Sequence, residues 1–133
     1  MTIKLGKDSI DLGIVVSDGP KALAFYRDTL GFEHVGTMPM AGSVMERLMC
    51  GTSLIKLVVP EKTLENKAAG GGLQGAYGYR YWTITVTNLD EILAKAAAAG
   101  YNVPVPRRNI RPGVDIAMVE DPDGNWVEFI ELS

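Results

Sequence analysis

The amino-acid sequence predicts an α+β fold made of two tandem βαβββ modules within a single domain, residues 1–133. Three observations predict this fold. A strand pattern followed by a capped helix pattern occurs twice, a glycine closes each helix pattern, and three short strand patterns follow each helix. The helix units span residues 18–31 and 88–100, so the plan repeats after about 70 residues. The modules accordingly cover about residues 8–60 and 79–133.

The first module begins with a strand that has one buried face. Residues 10–16 carry leucine, isoleucine and valine at alternate positions, which is typical of such a strand. Asp18 suits the N-cap of the next helix, Pro20 suits its first turn, and the helix runs to about Leu30. Gly31 suits the left-handed residue that ends a helix. Three strands follow, at about residues 33–38, 44–50 and 53–59.

The second module repeats this order. Residues 81–86 alternate as a strand, and Asn88 with Glu91 three positions later predicts a capping box at the start of the helix. The helix ends at Gly100. The sequence at residues 121–124, Asp-Pro-Asp-Gly, predicts a tight turn between the last two strands. The three strands are expected at about residues 102–107, 114–119 and 126–132.

A linker of about residues 61–78 joins the modules and includes the run Gly70-Gly71-Gly72. It is too long and too rich in glycine to be a simple hairpin connection. Two interpretations remain open. The segment is either a flexible linker or a mobile flap over a binding site, since long loops often carry function.

Composition excludes several functional classes. The chain is 47% apolar and 22% charged, as in an ordinary globular protein, and its net charge of −3 includes no basic run, so we expect no nucleic-acid partner. No apolar stretch is long enough to span a membrane, and residues 1–8 lack the apolar core of a signal peptide. Cys50 is the only cysteine, so no intramolecular disulfide can form. We therefore expect a cytoplasmic protein.

Two motifs resemble those of the vicinal oxygen chelate superfamily, also called glyoxalase/bleomycin-resistance/dioxygenase proteins. They are Ala-Phe-Tyr-Arg-Asp-Thr-Leu-Gly-Phe at residues 24–32 and Asp-Pro-Asp-Gly-Asn-Trp-Val-Glu at residues 121–128. The likeness extends roughly from Ile10 to the C-terminus. It implies a cupped mixed sheet in which two half-cups face each other around a ligand and helices cover the outer faces. It also implies a homodimer.

Strand alternation predicts which side chains face the cup. The charge of Lys56 settles the fourth strand, because an ammonium packed against the helices would be costly. The alternation then directs four functional side chains into one cavity: Asp11, Lys56, Tyr81 and Glu128. In the family that the chain resembles, these positions often hold metal ligands, a histidine and then a glutamate in each half. Only Glu128 keeps the expected type, so we expect no metal and no cofactor.

Two functions follow for this cavity. The first is metal-independent acid–base chemistry of the isomerase or lyase type on a small carbonyl-containing or aromatic metabolite, with one carboxylate as base and Lys56 or Tyr81 stabilising the enolate. The alternative is non-catalytic binding of a drug or metabolite, as in bleomycin-resistance proteins. In both cases five further side chains are expected to contact the ligand: Val15, Leu54, Thr83, Trp126 and Ile130.

Two groups of charged residues are left open by the pattern. Glu46 and Arg47 alternate on the third strand, and they are interpreted either as surface residues that form salt bridges or as a pair of which one joins the cup, without the pattern saying which. Arg107, Arg108 and Arg111 cluster before the seventh strand. They are interpreted as solvated hairpin residues or as a rim site for an anionic group.

Overall fold

The computed structural model describes residues 2–133, so Met1, which the predicted domain includes, lies outside the described residues. The first module contains β1 (Leu12–Val15), α1 (Gly19–Leu23) with a π-helical continuation (Ala24–Thr29), β2 (Glu33–Met40), β3 (Ser43–Cys50) and β4 (Ser53–Pro60). The second module contains β5 (Tyr81–Thr85), α2 (Leu89–Ala98), β6 (Val105–Arg111), β7 (Val114–Glu120) and β8 (Trp126–Leu132). A short 3₁₀ turn (Gly72–Gln74) lies in the linker.

Each module forms a four-stranded mixed sheet, and the two sheets have the same topology. The strand orders are β1-β4-β3-β2 and β5-β8-β7-β6. The first strand of each module runs parallel to the last strand, and the other neighbours are antiparallel. This arrangement confirms the predicted tandem βαβββ fold. It leaves β1 and β5 as edge strands, because no ladder joins the two sheets within the described residues.

The first helix confirms its predicted start but not its predicted course. Asp18 accepts a hydrogen bond of 2.9 Å from the backbone N–H of Lys21, as an N-cap should. The expected α-helix up to Leu30 is wrong from Ala24 onward, where the turns widen to the π-helical form and Leu30 N–H donates to the carbonyl of Phe25, five residues back. The path still ends at Gly31, whose φ of +83° confirms the left-handed residue.

The second helix is capped by a residue that the local pattern did not reveal. Asn88 makes no side-chain bond to the helix backbone and donates only a long 3.3 Å bond to Glu91, so the predicted capping box is wrong. The N–H of Leu89 instead donates at 2.8 Å to the carboxylate of Glu131 on β8. A tertiary contact therefore replaces the local cap. A carboxylate beside a helix N-terminus also suits the helix dipole.

Strand β6 starts three residues later than the sequence indicates. Pro104 and Pro106 carry no backbone N–H, and the ladder with β7 shifts register between Val105 and Arg108. The predicted turn at residues 121–124 is confirmed, with Gly124 at a φ of +85°.

One hydrophobic core draws on both modules. Aromatic contacts join the halves. The Phe25 ring meets Tyr101 edge-on at 4.8 Å between centroids, and the Tyr26 ring lies 6.3 Å from Trp82. The π-helical turns matter here, because they direct two consecutive residues, Phe25 and Tyr26, fully into the core.

The buried carboxylate of Asp121 links the modules by hydrogen bonds. Its Oδ2 accepts from the Tyr26 hydroxyl at 2.6 Å and from the Asn125 side-chain amide at 3.1 Å. Its Oδ1 accepts from the backbone N–H groups of Asp123 and Asn125, each at 2.9 Å. The residue is only 4% exposed, so these donors replace the water that an ionised carboxylate requires. Burial, and next the charge of Asp121, raises the pKa of the Tyr26 hydroxyl well above its usual value.

Arg107 lies at the centre of a second polar network. Its guanidinium contacts Asp115 at 2.9 Å, Glu131 at 2.9 Å and Asp90 of α2 at 3.0 Å. Arg107 is therefore neither a solvated hairpin residue nor a free cation at the rim. Arg108, in contrast, is exposed. The network lowers the pKa of two carboxyl groups. The pKa of Asp115 is lowered first by the hydrogen bond from the Asn109 amide and next by that from Arg107. The pKa of Glu131 is lowered first by the hydrogen bond from the N–H of Leu89 and next by that from Arg107.

We predict that Tyr26→Phe lowers the free energy of unfolding by about 1–3 kcal/mol, because it leaves a buried carboxylate short of one donor. Urea denaturation monitored by circular dichroism measures this change. Tyr101→Phe is the matched control, since no hydrogen bond to the Tyr101 hydroxyl is recorded among residues 2–133. An equal loss in both variants would show that the Tyr26 hydroxyl contributes nothing specific.

We also predict a change in acid stability for Arg107→Gln. A carboxyl group whose folded pKa is lowered stabilises the protein above its unfolded pKa and loses that contribution as pH falls through the folded value. The unfolded values of Asp115 and Glu131 are 3.8 and 4.5, so the loss falls below about pH 4.5. Without Arg107, the free energy of unfolding should fall less steeply as the pH drops below about 4.5. Arg108→Gln, at an exposed position, should leave that slope unchanged. Parallel curves for all three proteins would contradict this expectation.

Candidate functional site

Each sheet has one face against the helices and one face turned away from them, which we call its open face. On β4, Ile55 and Leu57 are buried in the core, and Lys56 between them is half-buried on the open face. On β8, Val127 and Phe129 are buried in the core, and Glu128 lies on the open face. The strand alternation thus gives the two sheets matching open faces, and Lys56 and Glu128 occupy equivalent positions.

The open face of the first sheet carries two neighbouring cations. Lys56 lies opposite Arg47 on β3 and opposite Gly13 on β1. Arg47 is therefore the member of the Glu46–Arg47 pair that shares a face with Lys56. Glu46 points to the helix side, where it accepts a hydrogen bond from Thr37. Arg47 directly precedes Leu48, which is buried in the core. Because neighbouring strand residues point to opposite faces, a buried Leu48 places Arg47 on the open face.

Asp11 immediately precedes β1 and is engaged by its own module. Its Oδ1 accepts hydrogen bonds from Lys7 Nζ at 2.6 Å and from the backbone N–H of Leu54 at 2.8 Å. The bond from Lys7 and next that from Leu54 lower the pKa of Asp11, and the charge of Lys56 adds a smaller effect. A carboxylate held ionised in this way is a weak proton acceptor at neutral pH. The hydrogen bond from the backbone N–H of Leu54 ties Asp11, just before β1, to β4 and so aligns the two strands at this end of the sheet.

Glu128 is the carboxylate in the middle of the second open face. Its Oε1 accepts a 2.7 Å hydrogen bond from the hydroxyl of Thr83, its neighbour on β5. Its neighbour on the other side is Met118 of β7, which is buried. Tyr81 lies one row away, opposite Trp126, and its side chain is 43% exposed. Glu128, Thr83 and Tyr81 are thus brought to one face.

The surroundings of Glu128 are mainly apolar. Met118 and Ile116 of β7 are buried, although they lie outside the core cluster that the helices cover. Ile130 is half-buried opposite Ile116, and Trp126 is half-buried beside Glu120, to which its ring N–H donates at 2.9 Å. The half-buried Trp126 and Ile130 on this face offer apolar surface to the body of an organic ligand.

The predicted ligand-contacting residues are divided between the two open faces. Val15, which is 56% exposed, and Leu54 lie on the first sheet. Thr83, Trp126 and Ile130 lie on the second. Among residues 2–133, no hydrogen bond or ion pair connects Asp11 or Lys56 with Tyr81 or Glu128. Asp11 and Lys56 thus belong to the first sheet, and Tyr81 and Glu128 lie on the open face of the second.

The linker packs against the second open face. Gly72, with a φ of +53°, lies on the ring of Trp126, and a Cβ atom at this position would overlap that ring. Arg80 holds the turn by donating to the carbonyls of Gly72 at 2.8 Å and Ala69 at 2.7 Å. The glycine-rich segment is thus shaped to rest on a site residue. This contact favours the flap interpretation over that of an unattached linker.

A groove that the sequence did not indicate lies between the N-terminal segment and β5. Its volume is about 720 Å³, and its apolar lining includes Leu5, Ile10, Leu12, Trp82 and Ile84. The lining also includes Cys50, whose thiol has a pKa raised by burial. Apart from Thr83, none of the nine predicted site residues lines this groove.

The residues at the positions where relatives bind metal do not suit a divalent cation. Lys56 is itself a cation, and two like charges a few ångströms apart repel by about 4 kcal/mol at the effective dielectric of a protein. Asp11 already has two donors. Within residues 2–133 there is no group of three or more histidine, cysteine, aspartate or glutamate side chains placed to hold a metal ion.

Comparison with known proteins identifies the family. Residues 9–129 match the model of the Glyoxalase/Bleomycin resistance protein/Dioxygenase superfamily, so the chain belongs to this superfamily. The search of curated protein sequences found no match. No helix within residues 2–133 is long and apolar enough to cross a membrane.

Solved structures share the fold over almost the whole chain. A glyoxalase family protein from Bacillus cereus superposes with a TM-score of 0.84 at 17% identity, over 98% of this chain and 96% of that chain. The fosfomycin resistance protein FosX from Listeria monocytogenes gives 0.71 at 16%, over 100% and 96%. The antibiotic-binding protein TnmS3 from Streptomyces sp. CB03234 gives 0.69 at 22%, over 98% and 100%. At these identities the likeness establishes a common fold.

We predict that Gly72→Ala displaces the linker from Trp126. The substitution adds a side chain where φ is positive, at a cost of about 1–2 kcal/mol, and also places a methyl group into the indole ring. Tryptophan emission should shift to longer wavelength, and limited proteolysis within residues 61–78 should become faster. Gly70→Ala is the control, because a Cβ there meets nothing within 4 Å. Identical proteolysis of both variants would mean that the contact does not hold the linker.

Proposed function

We propose that this protein binds a small organic molecule with an apolar or aromatic body, and that Glu128 is the main polar contact. One observation carries the proposal. Glu128 lies at the centre of an otherwise mostly apolar open face, and its recorded hydrogen-bond partner is a neutral hydroxyl, that of Thr83. A half-buried carboxylate with only one neutral donor retains acceptor capacity for a ligand.

The surrounding side chains support a ligand of this type. Trp126 offers a flat ring for stacking, and the half-buried Ile130 extends the apolar surface beside the carboxylate. The Gly72 turn rests on the same Trp126 ring, so a small movement of the linker would open or close access to it. Ligand sites with a mainly apolar lining and a few polar groups are the common type in proteins.

The family relationship agrees with this proposal. TnmS3 is an antibiotic-binding protein and FosX is a fosfomycin resistance protein, so two proteins with this fold act on or bind small molecules. Non-catalytic binding of a drug or metabolite, the bleomycin-resistance type, needs only the surface described above.

A second candidate function is acid–base catalysis, of the isomerase or lyase type, on a carbonyl compound. The specific observation in its favour is that Glu128 lacks a cationic partner among the described residues, whereas Asp11 is paired with Lys7. Glu128 is then the base that removes a proton from the carbon beside the carbonyl. Tyr81 lies one row away and is the candidate donor to the enolate oxygen. No step in this scheme requires a metal ion.

The open faces also support the expected homodimer, which we keep as part of the proposal. Val15, Met38 and Tyr81 each leave 40% or more of their side-chain surface exposed there, at 56%, 44% and 43%. A second copy that covers these faces would bring Lys56 and Glu128 of different chains to one cavity. The proposed binding surface around Glu128 does not depend on this association.

We predict that Glu128→Gln separates binding from catalysis. A thermal-shift screen of aromatic and carbonyl compounds identifies a ligand, and proton NMR in D₂O then measures exchange of the hydrogen beside its carbonyl. If Glu128 is the base, Glu128→Gln should abolish exchange at saturating ligand, because an amide cannot accept the proton. Because Glu128 is also the main polar contact, the same change should weaken binding by about tenfold.

Glu91→Gln on the exposed side of α2 is the control and should behave as the wild type. Binding without any exchange in the wild type would support the non-catalytic function. Unchanged binding and unchanged exchange in Glu128→Gln would remove Glu128 from both schemes.

A further inference from the structure

A row of four residues crosses the open face of the first sheet. The strand pairing places Gly13 of β1 opposite Lys56 of β4, Lys56 opposite Arg47 of β3, and Arg47 opposite Gly36 of β2. The row therefore reads Gly13–Lys56–Arg47–Gly36 across all four strands, and we call it the cationic row. Its two central members are positively charged, and its two outer members have no side chain.

The two cations lack partners in their own module. Within residues 2–133, neither Lys56 nor Arg47 takes part in any recorded hydrogen bond or ion pair, whereas Arg107 contacts three carboxylates. The charge of Lys56 acts weakly on Asp11, but that carboxylate is already paired with Lys7 at 2.6 Å. Glu33 lies at the far end of β2, opposite Met49, and forms no ion pair with Arg47. Like charges directly opposite each other in a sheet are destabilising.

The glycines leave space on both sides of these cations. A Cβ atom built at Gly13 or at Gly36 meets no heavy atom within 4 Å. Both residues have ordinary negative φ, so the backbone does not demand glycine at either position. A β-bulge between His34 and Gly36 sets the register that places Gly36 in the row. Two half-buried cations thus lie between open positions on a face whose next row is apolar, with Val58 and Met45.

We propose that the cationic row is an oxyanion-binding site that takes the carboxylate, phosphate or phosphonate group of an organic anion. An ammonium and a guanidinium side by side provide several donors that converge on one anion, and the anion in turn removes their mutual repulsion. The apolar row beside them receives the part of the ligand next to the charged group. This site goes beyond the proposed function, because it lies on the open face of the first sheet and takes an organic anion, whereas Glu128 lies on the open face of the second sheet.

The proposal is tested with benzoate, phenylphosphonate and the neutral benzamide as probes, together with inorganic phosphate. Titration of the ¹⁵N-labelled full chain by NMR measures binding. Benzoate or phenylphosphonate should shift the amide signals of Gly13, Gly36 and Lys56, and benzamide should bind about tenfold more weakly or not at all. A preference between benzoate and phenylphosphonate distinguishes a carboxylate ligand from a phosphorus oxyanion.

Two substitutions address the cations directly. Lys56→Gln and Arg47→Gln should each weaken binding of the preferred anion by about tenfold or more. Without added anion, each should leave the melting temperature unchanged or raise it, because a like-charge contact is removed. Lys95→Gln, on the exposed side of α2, is the control and should change neither quantity.

The outcomes separate this proposal from the proposed function. If benzamide shifts the amide signals of Gly13, Gly36 and Lys56 as strongly as benzoate does, or if both variants bind anions as the wild type does, the cationic row is not an anion site, although binding of an organic molecule still stands. If inorganic phosphate binds through Lys56 and no aromatic probe binds, the anion site stands and the apolar ligand surface fails. A lower melting temperature in both variants without anion would show that carboxylates of the protein already neutralise the row, and would overturn the proposal.

Discussion

The structure depends on one buried carboxylate. Asp121 is almost without contact with solvent and forms no ion pair within residues 2–133, so its charge is tolerated because four hydrogen bonds reach it. Three of these come from its own turn, and the fourth comes from Tyr26 in the other module. The Tyr26 hydroxyl and the Asp121 carboxylate are both buried, so each completes its hydrogen bonding only when the two groups are in contact. This requirement places α1 of the first module against the last hairpin of the second.

This contact determines where the interior of the protein lies. The helices and the helix-facing side chains of both sheets share one core, in which the rings of Phe25 and Tyr101 meet. Because packing is satisfied on that side, the open faces are free to carry groups that contribute little to stability. Lys56 and Arg47 on one face and Glu128 on the other are of this kind. In the proposals made above, these side chains contact a ligand instead of the core.

Local patterns in the sequence predicted much of this arrangement. The period of two in a strand assigns Lys56 and Glu128 to the open faces as soon as their apolar neighbours are assigned to the core. The caps and turns at Asp18, Gly31 and Gly124 were also predictable, because each depends on the backbone preference of one residue. The incorrect predictions concern features that the backbone preference of one residue does not determine. The π-helical turns after Ala24 and the cap that Glu131 provides for α2 depend on packing between distant segments.

The sequence by itself therefore determined the order of the elements, the faces of the residues on β4 and β8, and the family, since these follow from short-range stereochemistry and from two recognisable motifs. Only the tertiary structure decided that those two motifs touch through Tyr26 and Asp121, because their separation along the chain carries no information about contact. It also decided that Asp11 is paired with Lys7. The register of β3 against β4 decided that Arg47, rather than Glu46, lies beside Lys56. Strand register is set by pairing with a partner strand, and no single segment contains that information.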